Sequence, residues 1–158
     1  MSIIQINDQL LVEKLHTVAE RLDQPIRLSH AIANSLLTVV EDNFDNEGRP
    51  AWAGLSTVTL ARRKAGKILH QSSQLRRSIV TAVKDNEVMI GTNDPKAPTH
   101  QFGAKQGQYG KNARNKPIPW GNIPARPFIP MDASGNLQHE AEQAIWDDAD
   151  HFYKSIFG

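Results

Sequence analysis

LRRSIVTAVKDNEVMIGTND, residues 75–94, changes the period of the chain. Before it, apolar residues recur every three or four positions, as on a helix face. Within it, Ile79, Val80, Thr81 and Val83 are β-branched, and EVMIGT (87–92) forms a second short apolar run. Branching at Cβ restricts a side chain in a helix and suits a pleated surface, so both runs favour strands. Asp85-Asn86 between them suits a tight turn. The stretch predicts an antiparallel hairpin, and with it an α+β domain in place of a helical bundle.

Toward the N-terminus, Leu11, Leu15, Val18 and Leu22 recur at spacings of four, three and four, after Asn7 and Asp8, which suit an N-cap. This predicts an amphipathic helix ending near Asp23-Gln24-Pro25. Ser29 offers a second cap, followed by a broad apolar face of Ile32, Ala33, Leu36, Leu37, Val39, Val40 and Phe44. GRPAWAGLS (48–56) reads as a turn around Pro50 with Trp52 as a core anchor. Ser56 or Thr57 then caps a short helix that Gly66 stops.

Toward the C-terminus, PKAPTHQFG (95–103) reads as one helical turn closed by Gly103. Residues 104–122 hold too few aliphatic side chains to fold by themselves and are expected to form a long mobile loop. ARPFIPM (125–131) reads as an edge strand, because Pro127 and Pro130 exclude it from the middle of a sheet. A last helix is expected from about Asn136 to Phe157, with Leu137, Ala141, Ala144, Ile145 and Phe152 inward. The expected architecture is one domain over residues 1–158: α+β, helices packed on a small antiparallel sheet of hairpin plus edge strand, a long loop, and a C-terminal helix.

The composition is that of an ordinary globular protein, 39% apolar and 22% charged, with no apolar run near the roughly 18 residues that span a bilayer. No membrane partner is expected. The opening residues lack the basic region and cleavage site of a secretory signal, and there is no cysteine, which points to a reducing cytoplasm. The net charge of +1 is unevenly spread. Residues 1–48 carry −5, residues 49–126 carry +11 and residues 127–158 carry −5. A basic middle between acidic ends can neutralise itself, bind a polyanion, or meet the acidic surface of another copy.

Motifs of catalysis fail on spacing. Gly110-Lys111 suggests a phosphate loop, yet Lys105 stands where the first glycine belongs and Asn112 where Ser or Thr belongs. HEAEQ (139–143) begins like a zinc-protease helix, but Gln143 replaces the second histidine. Asp147 and His151 read as a helical ion pair. No nucleophile elbow or paired carboxylates stand out, so no catalytic, cofactor or metal residues are assigned, and an enzyme is not expected. Six Lys/Arg between residues 96 and 126, interleaved with Tyr109 and Trp120, could track phosphates and stack on bases. The alternative function is accordingly a DNA-binding accessory protein using the basic middle.

RPAWAGLSTVTLARRKAG (49–66), SSQLRRSIV (72–80), VMIGTN (88–93), APTHQFG (97–103) and IPARPFIP (123–130), in this order, resemble the virion morphogenesis or tail completion family of Mu-like tailed phages and prophages. The chain departs from it where such proteins often carry Thr-Gly before the first strand, having Ser72-Ser73. The resemblance implies a structural role in tail completion or head-tail joining, as a ring of copies contacting other junction or tail proteins. It would be made in the host bacterial cytoplasm and carried in the neck or tail of the virion, with DNA contact secondary. Under that role Trp52, Leu60, Ile79, Val88, Ile90 and Phe128 are expected in the core. Arg63, Gly91, Gly103, Arg126 and Pro127 join Trp52 and Phe128 as structural or assembly residues, the two glycines through tight backbone paths. Arg62 and Lys67 on one copy would face Asp147, Asp148 and Asp150 on the next.

Overall fold

The computed structural model describes residues 9–63, 66–84 and 87–157. These form α1 (Gln9–Leu22), α2 (Ile26–Asp45), α3 (Thr57–Arg62), α4 (Gln74–Arg77), β1 (Ile79–Lys84), β2 (Glu87–Thr92), α5 (Ala97–Phe102) and α6 (His139–Phe157). The fold is α+β, as the change of period implies.

Helix α2 is the axis of the domain because its apolar face is wide enough to pack in two directions. Val40 and Phe44 meet Trp52, Leu75, Ile79, Ala97 and Phe128 on one side. Leu36 and Val39 meet Ala141 on the other, with Val88, Ile90, Ala144 and Ile145 around them. Pro25 starts the helix with φ −64°, a backbone angle that proline fixes in advance. Ser29 is therefore not the cap the sequence suggests. It lies buried inside α2 and its hydroxyl donates back to the Pro25 carbonyl at 3.3 Å.

β1 and β2 pair antiparallel in unbroken register from Ile79↔Thr92 to Lys84↔Glu87. The expected turn at Asp85-Asn86 lies outside the described residues. One face of the hairpin packs on α2, whereas Val80 (62%) and Met89 (48%) remain exposed on the other.

The expected third strand does not join the sheet, which has two strands among the described residues. Residues 126–128 belong to no helix or strand, the chain bends at Ile129 and Pro130, and Pro127 and Pro130 have no N–H to give. The amides of Phe128 and Ile129 both donate to Gln101 Oε1, at 3.0 Å each.

Residues 104–122 form an arm that pairs with itself. Ala104 bridges Ile123, and Tyr109 N–H and Ile118 N–H donate to the carbonyls of Ile118 and Gly110 at 2.8 and 2.7 Å. Asn112 Oδ1 closes the tip by accepting from the amides of Arg114 and Lys116. Backbone and amide polarity, not aliphatic packing, shapes this segment.

Four helix expectations need correction. Leu15 and Leu22 on α1 are exposed, and the proposed cap at Asn7-Asp8 lies outside the described residues. Leu60 is 57% exposed, because α3 is too short to bury any of its residues. That helix, capped by Ser56 Oγ accepting from Thr59 N–H, ends at Arg62, before Gly66. Leu137 is exposed and precedes α6. The Asp132 carboxylate gathers the amides of Ser134 and Asn136, and the resulting turn carries Leu137 into a bridge with Met131.

Candidate assembly interface

Three of the five sequence blocks that carry the resemblance meet in one polar clamp around Phe128. The Phe128 ring is fully buried, 5.5 Å from Phe44, and Phe44 meets Trp52 edge-on at 5.9 Å. Trp52 Nε1–H donates to the Pro127 carbonyl at 2.9 Å. Its indole fits only because Gly48, at φ +97°, has no side chain: an added Cβ would lie 2.3 Å from the ring. Arg126 is buried, and its guanidinium donates to the carbonyls of Ala53 (2.9 Å) and Gly54 (3.0 Å). The Arg126 amide donates to the His100 carbonyl at 2.7 Å. Three of these hydrogen bonds join residues more than 70 positions apart, so the clamp ties the middle of the chain to its C-terminal third.

Gln101 and Asn43 complete the clamp, and sequence reading missed both. Gln101 accepts from the Phe128 and Ile129 amides and donates to the carbonyls of Ile129 (3.0 Å) and Met131 (2.8 Å). Asn43, fully buried, donates to the Phe128 carbonyl at 3.2 Å and to Gln138 Oε1 at 2.8 Å, and accepts from Arg49 Nε at 3.1 Å. A signal for Asn43 did exist. It follows Leu36, Val39 and Val40 at helical spacing, which puts a polar amide on a core face where it must find partners.

The expected glycines part company. Gly103 has φ +73°, and an added Cβ would lie 2.7 Å from the Ile123 carbonyl oxygen. Gly91 is not tightly enclosed: nothing lies within 4 Å of where its Cβ would be.

An open groove of about 540 Å³ runs beside the clamp, lined by Arg63, Lys96, His100, Asn122, Ile123 and Arg126 among others. Burial, then the nearby Arg126 cation, hold the His100 pKa below its ordinary value, and its Nδ1 has no hydrogen-bond partner. Burial likewise lowers the Arg126 pKa. Among the described residues no three His, Asp or Glu side chains gather into a possible metal site.

The expected charges lie outside the clamp, in unequal settings. Lys67 Nζ donates to the Asp45 carbonyl at 2.7 Å, at the end of α2, and Arg63 Nη2 donates to the Lys67 carbonyl. Asp45 also receives a two-pronged bond from Arg76 at 2.7 and 3.1 Å, which lowers its pKa. Arg62 is exposed and stacks over the Trp120 ring at 5.6 Å, with Arg114 and Lys116 around the same hollow. On α6, Asp147 is exposed, Asp148 is half-buried, and Asp150 pairs with Lys154 at 2.6 Å. No helix of the described residues is long and apolar enough to cross a membrane.

No solved structure matches the chain. It is 34% identical over 139 residues to "Mu-like prophage FluMu G protein 2" of Haemophilus influenzae, covering 85% of this chain and 90% of that protein. It is 29% identical over 144 residues to "Putative capsid assembly protein G" of Escherichia phage Mu, covering 88% of this chain and 83% of the other. A profile of the phage virion morphogenesis family matches residues 6–152, taking in the clamp, the hairpin and the arm. The chain belongs to the phage virion morphogenesis family.

Proposed function

We propose that the protein is a structural component of a tailed-phage particle that completes the tail or joins it to the head, working as a ring of copies. It acts in the neck or tail after synthesis in the host cytoplasm. Family membership and the capsid-assembly name of the phage Mu relative support an assembly role. The observation that carries the finer reading is the contrast between a closed core and the large apolar side chains outside it. Trp146 (72%), Phe157 (65%), Trp120 (63%) and Leu15 (58%) all face solvent. Such side chains supply affinity at interfaces, where surface ion pairs contribute only about 0–1 kcal/mol each.

Charge orients the contact. Lys67 and Arg63 are engaged near the end of α2, so Arg62, with Arg114 and Lys116 beside Trp120, is the group that meets Asp147, Asp148 and Asp150 of the next copy. One patch on a different patch is the head-to-tail contact that closes rings. Reversing the three aspartates to Lys should abolish infectious particles, and acids at Arg62, Arg114 and Lys116 should restore them in part. Unchanged particle yield from the triple reversal would sink the contact.

A second reading, DNA binding by the arm, draws on the exposure of Tyr109 and Trp120 among Lys105, Lys111, Arg114 and Lys116. Replacing residues 105–122 by a short Gly-Ser turn between the bridged Ala104 and Ile123 separates the two. Under the assembly reading the melt is nearly unaltered and complete particles are lost, without any DNA affinity in the parent. Tight, salt-sensitive DNA binding by the parent monomer, lost with the arm, favours the second.

A further inference from the structure

The hairpin leaves both of its outer edges open. No hydrogen bond from elsewhere in the described chain reaches the backbone of residues 79–84 or 87–92. Half of the amides and carbonyls of each strand therefore point away from the ladder and find no partner among the described residues. A two-stranded sheet is marginal alone, and natural edges are usually guarded by proline, a bulge or a covering loop. Here the register runs six residues against six without a break, and neither strand contains proline. The outward face is apolar as well: Val80 pairs across to Gly91, and Ala82 to Met89.

We propose that hairpins of adjacent copies join edge to edge, β2 of one beside β1 of the next, so that the assembly carries one continuous antiparallel sheet. This rests on the ring reading and adds a backbone contact to the charge-oriented one between neighbouring copies. The occupant is a second copy because of the charges at the hairpin tip. Lys84 ends β1 and Glu87 begins β2. When all hairpins point the same way, strand direction alternates, β2 against the next β1 is antiparallel, and Glu87 falls beside Lys84 of the next copy. Two-fold pairing of like edges would turn the tips in opposite directions and leave these charges apart. There is room for the incoming strand. Gly91 and Thr92 border an open apolar groove of about 330 Å³, which exposed Phe102 and Met131 also line. Backbone pairing supplies the affinity of such strand addition, and the tip charges fix the register.

The absence of native cysteine makes the test clean. Lys84→Cys and Glu87→Cys proteins are prepared separately, mixed, concentrated until native mass spectrometry detects rings, and oxidised. Both positions are exposed, and each variant is checked to melt like the parent. Adjacent strands bring opposed Cβ atoms within reach of a disulfide. The mixed sample should give disulfide-linked dimers about a hundredfold faster than either variant alone, the advantage of paired thiols over free encounter. Rings that form without this mixed dimer overturn the hairpin contact and leave the ring standing. If no self-association is found in solution or in purified particles, the ring reading and this contact fall together.

Discussion

Residues 126–131 and the hairpin strands 79–84 and 87–92 satisfy their backbones in opposite ways. The first takes its partners from side chains: Gln101, Asn43 and Trp52 reach in from other elements to its amides and carbonyls. The second pairs only with itself among the described residues, which leave its two edges free. The difference separates what the fold must hold in place from what it leaves available. Side-chain partners lock a segment at one position and use up its capacity to pair. An open edge costs the monomer little in water and gives a neighbour a template.

Deleting side chains in the two regions should expose this contrast most strongly. Phe128→Ala removes a fully buried ring that touches Phe44, and should cost about 3–5 kcal/mol in urea unfolding. Val80→Ala, on the exposed face of β1, should cost the monomer no more than about 0.5 kcal/mol. Comparable losses at both positions would mean that the hairpin face is covered in the free protein, and the comparison would break.

The next effect isolates the polar half of the clamp. Gln101→Leu keeps the volume but removes the partner of four backbone groups, and should cost about 2–3 kcal/mol. Gln101→Glu retains the acceptor for the Phe128 and Ile129 amides but buries a carboxylate against the Ile129 and Met131 carbonyls, so relative to the leucine variant it should be most damaging at neutral pH and recover as the pH falls and the carboxyl protonates. A glutamate variant whose stability relative to leucine did not change between pH 7 and pH 5 would show that these carbonyls do not enclose the side chain.

These residues also mark where sequence reasoning stops. The hairpin, α2 and its two-sided face are legible because period and branching are local properties of residues 75–94 and 32–44. Phe128 is legible because an aromatic between prolines has few other uses. Gln101 is not, since a single glutamine in APTHQFG carries no periodicity, and its partners lie 27 to 30 residues away. Leu15 and Leu60 fail for another reason. Apolar spacing states that a face avoids water, but not whether its cover comes from the same chain or from another copy. The open edges of the hairpin depend on the absence of a third strand among the described residues, where Gln101 holds the two amides of Phe128 and Ile129.

A pH titration sharpens the view of the groove beside the clamp. The His100 pKa is lowered by burial and by Arg126, and the His70 pKa by burial and by Arg76. The unfolded chain therefore binds more protons than the folded one as pH falls below about 6.5. Stability should decline with falling pH through that window and level off once the folded imidazoles protonate. Asp45, Asp132 and Glu140 have lowered pKa values, so their contributions are lost only at more acidic pH, below about 4. His100→Gln should flatten the slope between pH 7 and 5 in a series of thermal melts, and His70→Gln should remove the remainder. A slope untouched by both substitutions would assign the acid sensitivity to other groups.

The smallest effect lies at the turn leading into the hairpin, at Ser72-Ser73. Ser73 has φ 53° and ψ 11°, the left-handed region, immediately before α4. An L-residue with a Cβ is strained there by roughly 1–2 kcal/mol, whereas glycine is not. Ser73→Gly relieves that strain and adds freedom to the unfolded chain, which offsets about 0.4–1 kcal/mol. The net expectation is a gain of about 0.5 kcal/mol, seen as a rise of about 1–2 °C in melting temperature. Ser73→Val should move the melt the other way, because branching at Cβ makes the left-handed region still less accessible. The turn sits outside the clamp and before the first strand, so neither substitution should alter the response to Gln101→Leu, and the double variants should add. Additivity would show that the clamp and the entrance to the hairpin are separate units. A strong coupling between positions 73 and 101 would show that the open sheet and the locked segment are held by one mechanism, contrary to the contrast drawn between them.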